Sequence, residues 1–279
     1  MKFSNYSLFS RELNTKGLTE ALEHTLRLGF DAVEWIENAT IETCRLADLS
    51  AARAAKKEIF GRNLSVSCYS LLANLLSEDI DAQMKRVFKN IEYAAELESP
   101  FFHHTIIPGY EVIDGAPSYD EALTRVADNA ERIARYCNEN GMICLYEPQG
   151  IYFNGVKGLR GIFSEMKARG CKVGICGDTG NSLYVDTPPV EIYESFAEDI
   201  KHIHVKDYVY TSVPVSEKPV STSGKYIKDV ALGDGAADFR GCFDFVKGYD
   251  GDVSFEMNCD DVQMEKNQAF IREIFNSYK

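Results

Sequence analysis

The stretch HIHVKDY at residues 202–208 has the alternation of a β-strand that ends in chemically active side chains. Its apolar residues, Ile203 and Val205, alternate with polar ones, which is the period-two pattern of a strand with two different faces. A histidine on such a strand is most often a satisfied core or surface residue. Three other strand-like runs share the design, because each ends in a carboxylate: ICLYEP (Glu147), KVGICGD (Asp178) and DVSFEMN (Glu256). His204 is therefore read together with these three acids.

Strand-like and helix-like segments alternate along the whole chain. The predicted strands are 3–9, 31–36, 64–71, 101–107, 142–147, 172–177, 200–207 and 252–258, and the predicted helices are 18–28, 49–60, 80–97, 119–140, 156–169, 189–199, 238–246 and 261–278. Strict alternation implies parallel strands joined by right-handed crossovers. With 279 residues the pattern favours a single-domain (β/α)8 TIM barrel over residues 1–279. A doubly wound open sheet would carry a glycine-rich turn after the first strand, and NYSLFSREL has none.

Charge and cysteine usage restrict the function classes. The formal net charge is −13, which argues against a nucleic-acid partner or an anionic membrane surface. The sequence has no apolar run long enough to span a membrane, and MKFSNYSLFSREL lacks the apolar core of a secretory signal. The eight cysteines are scattered without a C-x-x-C pair, which is typical of reduced, buried thiols. We therefore expect a cytoplasmic protein.

The residues 208–232 depart from the βα rhythm. This segment is polar, contains Pro214 and Pro219, and includes a Ser/Thr-Gly run. It follows the seventh predicted strand, at the end of a barrel where active sites lie. It is read either as a surface excursion or as a lid or subunit-contact loop.

The four strand-end residues form a candidate metal site. Glu147, Asp178, His204 and Glu256 end the fifth to eighth predicted strands, which are neighbours in a barrel. One strand-end carboxylate often only caps the following helix, but four consecutive ligand-type residues are harder to explain in that way. Three carboxylates and one imidazole suit Mn²⁺, Mg²⁺ or Co²⁺ better than a thiolate zinc site.

Motifs spread over nearly the whole chain support a family resemblance. They are GFDAVEW (29–35), YEPQG (146–150), GDTGNS (177–182), HIHVKD (202–207), LGDGAADF (232–239) and DVSFEM (252–257). Their order and spacing resemble the xylose isomerase-like TIM-barrel superfamily, in particular the sugar (phosphate) isomerases and epimerases typified by D-tagatose 3-epimerase. The resemblance implies that Glu147, Asp178, His204 and Glu256 are metal ligands, with Mn²⁺ as the expected ion and Mg²⁺, Co²⁺ or Zn²⁺ as alternatives. It also implies a small carbohydrate substrate and a homo-oligomer, either a dimer or a tetramer.

The same resemblance gives Glu147 and Glu256 the role of paired acid/base catalysts. A divalent cation that chelates the carbonyl and hydroxyl oxygens of an α-hydroxy ketone stabilises the enediolate formed when a proton is removed. One glutamate removes the proton, and the other returns one from the opposite face for epimerisation. Aldose–ketose isomerisation instead moves the proton between neighbouring carbons. We therefore expect a sugar isomerase or epimerase.

The expected substrate shell differs from that of tagatose-type epimerases. Those enzymes carry a histidine, a glutamate and an arginine where this sequence has Asn181, Phe153 and Tyr210. A metal-dependent lyase or dehydratase acting on a keto sugar, keto-inositol or keto-glycoside therefore stays open, since β-elimination begins with the same proton abstraction. An endonuclease IV-like phosphodiesterase is a remote alternative, because its three-zinc site needs more histidines. The net charge of −13 also disfavours DNA binding.

The residues considered for substrate binding lie on or near the predicted strand ends. They are Asn181, Lys206, His104, Glu34, Tyr6 and Trp35. Lys206 has an alternative role as the ion-pair partner of Asp207, and Trp35 has one in packing beneath a helix. Because neighbouring strand residues face opposite sides, only one of His103 and His104 is expected to face inward.

Overall fold

Eight parallel strands close into a barrel in the computed structural model, which describes residues 1–37, 45–109, 116–215 and 220–278. The barrel strands are β1 (Lys2–Asn5), β2 (Ala32–Glu37), β3 (Ser65–Leu71), β4 (Phe101–His104), β5 (Ile143–Tyr146), β6 (Val173–Asp178), β7 (Ile200–Val205) and β10 (Asp252–Phe255). Their order around the barrel is β1-β10-β7-β6-β5-β4-β3-β2, and β1 pairs with β2 to complete the ring. The predicted TIM barrel is confirmed.

The α-helices lie around the barrel. They are α1 (Ser7–Lys16), α2 (Leu18–Arg27), α3 (Leu49–Phe60), α4 (Ile80–Glu96), α5 (Tyr119–Glu139), α6 (Gly155–Ala168), α7 (Pro189–Phe196), α8 (Phe239–Asp244) and α9 (Asp261–Asn276), with 3-10 turns at Asn181–Val185 and Ala197–Asp199. Helix starts follow from local capping. The Asp48 carboxylate accepts a hydrogen bond from the Ala51 amide, and Ser118 forms a capping box with Glu121.

The first strand is shorter than the sequence predicted. The apolar residues Leu8 and Phe9 were assigned to it, but both belong to α1 and are fully buried. The chain turns at Asn5, whose side-chain oxygen accepts a hydrogen bond from the Phe9 amide at 3.0 Å. An asparagine that satisfies a free amide of the first helical turn ends the strand and starts the helix, and the two apolar residues then face the core.

The 208–232 segment contains a β-hairpin that the sequence reading missed. Strands β8 (Asp207–Thr211) and β9 (Tyr226–Val230) pair antiparallel, with Tyr208 opposite Asp229. The Tyr210 hydroxyl donates to the Leu183 carbonyl at 2.8 Å, which ties the hairpin to the 3-10 turn after β6. Residues 216–219 lie outside the described part. The role of this segment as a lid or subunit contact stays a prediction.

Within the described residues, no helix is both long and apolar enough to cross a membrane. The seven described cysteines are free thiols, and six of them are buried. This agrees with the expectation of reduced, buried cysteines, while Cys44 lies outside the described residues.

Asp207 anchors the chain as it returns from the hairpin. Its buried carboxylate accepts hydrogen bonds from the amides of Gly233 (3.0 Å), Gly235 (2.8 Å) and Ala237 (3.1 Å), and from its neighbour Tyr208 (2.9 Å). A Cβ atom on Gly235 would lie 2.1 Å from the Asp207 carboxylate oxygen, so only glycine permits this approach. One carboxylate therefore fixes the loop that leads into α8.

We expect the substitution Asp207→Asn to destabilise the protein by about 1–3 kcal/mol, because an amide side chain cannot accept all of these hydrogen bonds and leaves buried donors unpaired. Urea denaturation measures the change. The exposed Asp234→Asn in the same loop is the control and should lie close to wild type. Equal stability of D207N and D234N would contradict the anchoring role.

Candidate metal centre

The four predicted metal ligands meet at the carboxyl ends of the barrel strands. Glu147 directly follows β5, Asp178 ends β6, His204 lies in β7 and Glu256 directly follows β10. Because these four strands are neighbours in the barrel, one donor atom from each residue comes within 4.8 Å of the others. The structure therefore brings together all four residues.

His204 is held from both sides of its ring. Its Nδ1 atom lies 2.8 Å from a Glu147 oxygen and 3.1 Å from a Glu256 oxygen. Its Nε2 atom lies 3.1 Å from both oxygens of Glu34. The ring itself is fully buried. His204 thus joins the strand-end carboxylates to a fourth carboxylate deeper in the barrel.

Glu34 lies beneath the cluster and not at its mouth. Its side chain has no exposed surface, and its oxygens contact His202 Nε2 at 2.9 Å and accept a hydrogen bond from the Ser70 hydroxyl at 2.6 Å. The sequence reading placed Glu34 against the substrate and treated His202 as packing. The structure makes them hydrogen-bonding partners in the barrel interior.

Lys206 supplies a positive charge at the mouth of the site. Its ammonium group lies 2.6 Å from a Glu256 oxygen and 3.1 Å from Asp178 Oδ2. The other Asp178 oxygen accepts hydrogen bonds from the amides of Gly180 and Asn181 at 2.8 and 2.5 Å. Lys206 therefore pairs with two of the four predicted ligands, and not with Asp207 as the alternative reading had it.

Of the remaining predicted residues, Tyr6 and Asn181 lie at the cluster. The Tyr6 ring is centred 5.2 Å from that of His204, and the backbone amide of the buried Asn181 donates a hydrogen bond to Asp178. Trp35 lies elsewhere, on the outer face of β2, where its ring packs 5.9 Å from Phe9. Trp35 is therefore a packing residue, as its alternative role anticipated.

The inward histidine of β4 is His103, and His104 points the other way. His103 Nε2 lies 3.4 Å from a Glu147 oxygen, and Nδ1 lies 3.1 Å from the Ser70 hydroxyl. The His104 ring instead packs 5.7 Å from Tyr146 on the opposite face of the strand. The structure thus does not bring His104 to the site, and it adds His103. Adjacent identical residues left no sequence signal for choosing between them.

Burial and crowding move the pKa values of the two glutamates apart. Burial, together with the Asp178 charge, raises the pKa of Glu147 to about 8. Burial also acts to raise the pKa of Glu256, but Lys206 and His204 outweigh it and lower that pKa to about 2. Burial acts to lower the pKa of His204, yet its acidic neighbours raise it well above its ordinary value. The two glutamates therefore differ in proton affinity, which is how paired carboxylates come to act as acid and base.

The donor set fits a divalent cation. Three carboxylates and one imidazole converge in a buried space, and hard cations prefer oxygen ligands of this kind. Cys176 also lies near Glu147 and His204, but burial raises the pKa of its thiol, so it remains protonated. The arrangement is a candidate metal-binding site rich in oxygen donors.

Replacing Lys206 tests the charge balance of the site. Lys206→Met keeps the aliphatic stem but leaves Asp178 and Glu256 facing each other without a cation, and loss of one partner of a buried ion pair costs about 3–5 kcal/mol. Urea denaturation in a chelator should show this loss, and an added divalent cation should restore part of it. Lys201→Met on the exposed side of β7 is the control, and K206M with the stability of K201M would contradict the assignment.

Comparison with known proteins places the chain in a family. No curated protein sequence matches it. Solved structures match over nearly the whole length. One is a D-tagatose 3-epimerase-like protein, with a TM-score of 0.73 and 18% identity, covering 100% of this chain and 98% of that one. Another is the probable 3-DHS dehydratase AsbF of Bacillus anthracis, with a TM-score of 0.74 and 14% identity, covering 98% of this chain and 99% of that one. A xylose isomerase-like TIM barrel protein from Mycobacterium smegmatis, in complex with magnesium, also matches, with a TM-score of 0.67 and 14% identity, covering 99% of this chain and 97% of that one.

At these identities the structural matches establish the fold. The family evidence comes from a sequence model of the xylose isomerase-like TIM barrel, which matches residues 22–274. That range contains all four residues of the candidate metal centre and the barrel strands that carry them. The chain belongs to the xylose isomerase-like TIM barrel family.

Proposed function

We propose that this protein is a divalent-metal-dependent sugar isomerase or epimerase that removes a proton next to a carbonyl group. One observation carries the proposal: donor atoms of Glu147, Asp178, His204 and Glu256 lie within 4.8 Å of one another at the barrel rim. The D-tagatose 3-epimerase-like neighbour supports a carbohydrate substrate.

Glu147, Asp178, His204 and Glu256 would hold the metal. Mn²⁺ is the proposed ion, with Mg²⁺, Co²⁺ or Zn²⁺ as alternatives, because the carboxylate oxygens suit hard divalent cations and the imidazole also suits borderline ones. When bound, a divalent cation supplies Lewis-acid polarisation of a carbonyl oxygen, which makes the neighbouring C–H bond more acidic.

Proton transfer is assigned to the two glutamates. The side chain of Glu256 is 23% exposed, whereas that of Glu147 is 1% exposed, so Glu256 is the carboxylate that a substrate in the mouth meets first. Its lowered pKa keeps it ionised at neutral pH, as a base must be. Glu147, whose pKa is raised to about 8, has the higher proton affinity of the two and is assigned the return of a proton to the opposite face of the deprotonated carbon.

Three side chains around the mouth are proposed to orient the sugar. The Lys206 ammonium group and the Asn181 amide can hydrogen-bond hydroxyl or carbonyl oxygens, and the Tyr6 ring next to His204 offers an apolar surface to a sugar face. Glu34 lies beneath the site, and His104 and Trp35 point to the outside of the barrel, so these three predicted residues are not placed to contact a substrate.

A lyase or dehydratase on a keto sugar, keto-inositol or keto-glycoside is the second candidate. Two positions that would contact substrate in tagatose-type epimerases serve packing here: the Phe153 ring lies 5.6 Å from Tyr119, and the Tyr210 hydroxyl bonds the Leu183 carbonyl. The probable dehydratase among the structural neighbours has the same fold. A panel of ketoses, keto-inositols and keto-glycosides in deuterated water, followed by NMR, separates stereochemical change from elimination.

Assembly and location are further parts of the proposal. We propose a homo-oligomer, either a dimer or a tetramer, in which the 208–232 segment takes part. The exposed apolar side chains Val213 (65%) and Val220 (41%) near the end of the hairpin support this role. We propose a cytoplasmic location, supported by the free thiols of the described cysteines. Analytical ultracentrifugation of wild type and Val213→Glu tests the assembly.

Removing the proposed base should stop exchange at carbon without unfolding the protein. In Glu256→Gln we expect deuterium incorporation next to the carbonyl to fall by about 10²–10⁴-fold, the usual contribution of a positioned acid/base group. The exposed Glu265→Gln of α9 is the control. Exchange at the wild-type rate in E256Q would show that Glu256 is not the base, and full activity in a chelator would exclude the metal role.

Metal binding should compete with protons. The raised pKa values of Glu147 (about 8) and His204 mean that both hold protons at neutral pH, and both must lose them to become ligands. The affinity for Mn²⁺ should therefore rise from about pH 6 to about pH 8, with protons released on binding. Calorimetry in buffers of different ionisation enthalpy measures the release. A binding enthalpy independent of the buffer, with affinity flat in pH, would contradict this.

A further inference from the structure

We propose that Glu34 is a positioning residue for the candidate metal centre: it holds the His204 ring so that Nδ1 faces the three carboxylates as a free ligand atom. The inference rests on the proposed function, because it concerns the same site. It assigns to a residue outside the four ligands the task of choosing which His204 nitrogen carries the proton.

The contact between Glu34 and His204 crosses the barrel. Their strands β2 and β7 are not neighbours, since β1 and β10 lie between them, so the two side chains meet in the interior. The register of β2 against β3 shifts between Val33 and Glu34. Such irregularities re-aim a side chain. Glu34 therefore reaches His204 from a strand that contributes none of the four predicted ligands.

Hydrogen-bond accounting around Glu34 fixes the protons. An ionised carboxylate only accepts hydrogen bonds, so each imidazole nitrogen that it contacts must be an N–H donor. His204 Nε2 lies 3.1 Å from both Glu34 oxygens, and His202 Nε2 lies 2.9 Å from one of them. A neutral His204 with its proton on Nε2 has a lone pair on Nδ1. That lone pair faces Glu147 and Glu256, where a metal ligand is needed.

The same network extends to a second predicted ligand. The Ser70 hydroxyl donates its proton to Glu34 at 2.6 Å, so it can only accept from His103 Nδ1, 3.1 Å away. The other nitrogen of His103 lies 3.4 Å from Glu147. Glu34 thus orders the side chains beneath both His204 and Glu147. Partners of this kind set the orientation and basicity of histidine ligands, and their loss typically lowers metal affinity about 10–100-fold.

A second cation site is the competing explanation. Donor atoms of Glu34, His202 and His204 also lie within 4.8 Å of one another. We favour the positioning role, because the Glu34 oxygens already have hydrogen-bonding partners and His202 Nε2 is also 3.0 Å from the Ser254 hydroxyl. The two explanations differ in the number of ions bound per chain.

The experiment compares Glu34→Gln with Glu37→Gln. Glu37 is a buried carboxylate on the same strand that pairs with Arg86, so E37Q matches the loss of a buried charge outside the site. Mn²⁺ titration by calorimetry should give one ion per wild-type chain, a loss of affinity of about 10–100-fold in E34Q and no such loss in E37Q. NMR of ¹⁵N-labelled histidines in the metal-free proteins should show a proton on His204 Nε2 in wild type, whether the ring is neutral or charged. The protonation pattern of His204 should change in E34Q.

Each outcome decides the proposal. Wild-type affinity and an unchanged His204 signal in E34Q would overturn it, as would two ions per wild-type chain that become one in E34Q. If E34Q does not fold, the wild-type spectrum still decides, because a His204 protonated only on Nδ1 is incompatible with the role of Glu34. If wild type binds no divalent ion, the proposed function fails, and the histidine spectrum separately tests whether Glu34 sets the tautomer.

Discussion

Crowding of like charges is the constraint on which this site depends. Barrel closure makes the carboxyl ends of β5, β6 and β10 meet around β7, which brings Glu147, Asp178 and Glu256 together in a largely buried space. Two unit charges about 4 Å apart repel by about 4 kcal/mol at the effective dielectric of a protein surface, and more when buried. The fold can contain this cluster only if protons or cations neutralise it. The raised pKa of Glu147 and the ion pairs of Lys206 are two such responses, and a divalent cation would be a third.

A single strand supplies most of the neutralising groups. His202, His204 and Lys206 occupy alternate positions of the HIHVKD stretch, and all three side chains enter the barrel. They are arranged by depth: of the carboxylates, His202 contacts the buried Glu34, His204 contacts Glu34 and two rim carboxylates, and Lys206 contacts rim carboxylates. Alternation along one strand thus places its polar side chains at successive depths, from fully buried ion pairs to ion pairs near the accessible rim. The proposed chemistry lies at the accessible end, where the Glu256 side chain retains 23% exposure.

The sequence predicted features that depend on local signals. Helix α3 has its predicted bounds, and the structure shows that both ends depend on local residues: Asp48 caps its start and Gly61 follows its end. The convergence of the four strand-end residues was predictable, since a parallel barrel places the carboxyl end of every strand at one rim. Predictions failed where hydrophobic periodicity does not carry the deciding signal. Leu8 and Phe9 look like strand residues until Asn5 turns the chain, and no periodicity could distinguish His103 from His104. Glu34 was predicted to contact the substrate, but its partner His204 is 170 positions away, so the depth of Glu34 in the barrel could not be predicted.

The candidate metal centre and the loops around it follow different rules. The core is fixed by strand geometry, whereas the surroundings come from loops that each member of a fold family can rebuild. Here Phe153 packs on Tyr119, and the Tyr210 hydroxyl secures the hairpin to the 3-10 turn after β6. These positions hold loops in place, so under the proposed function selectivity would depend on other polar groups at the mouth, such as Lys206. Because Lys206 already pairs with Glu256, a substrate oxygen that binds it must share or displace that ion pair. Substrate binding would then alter the charge next to the proposed base, which links recognition directly to proton removal.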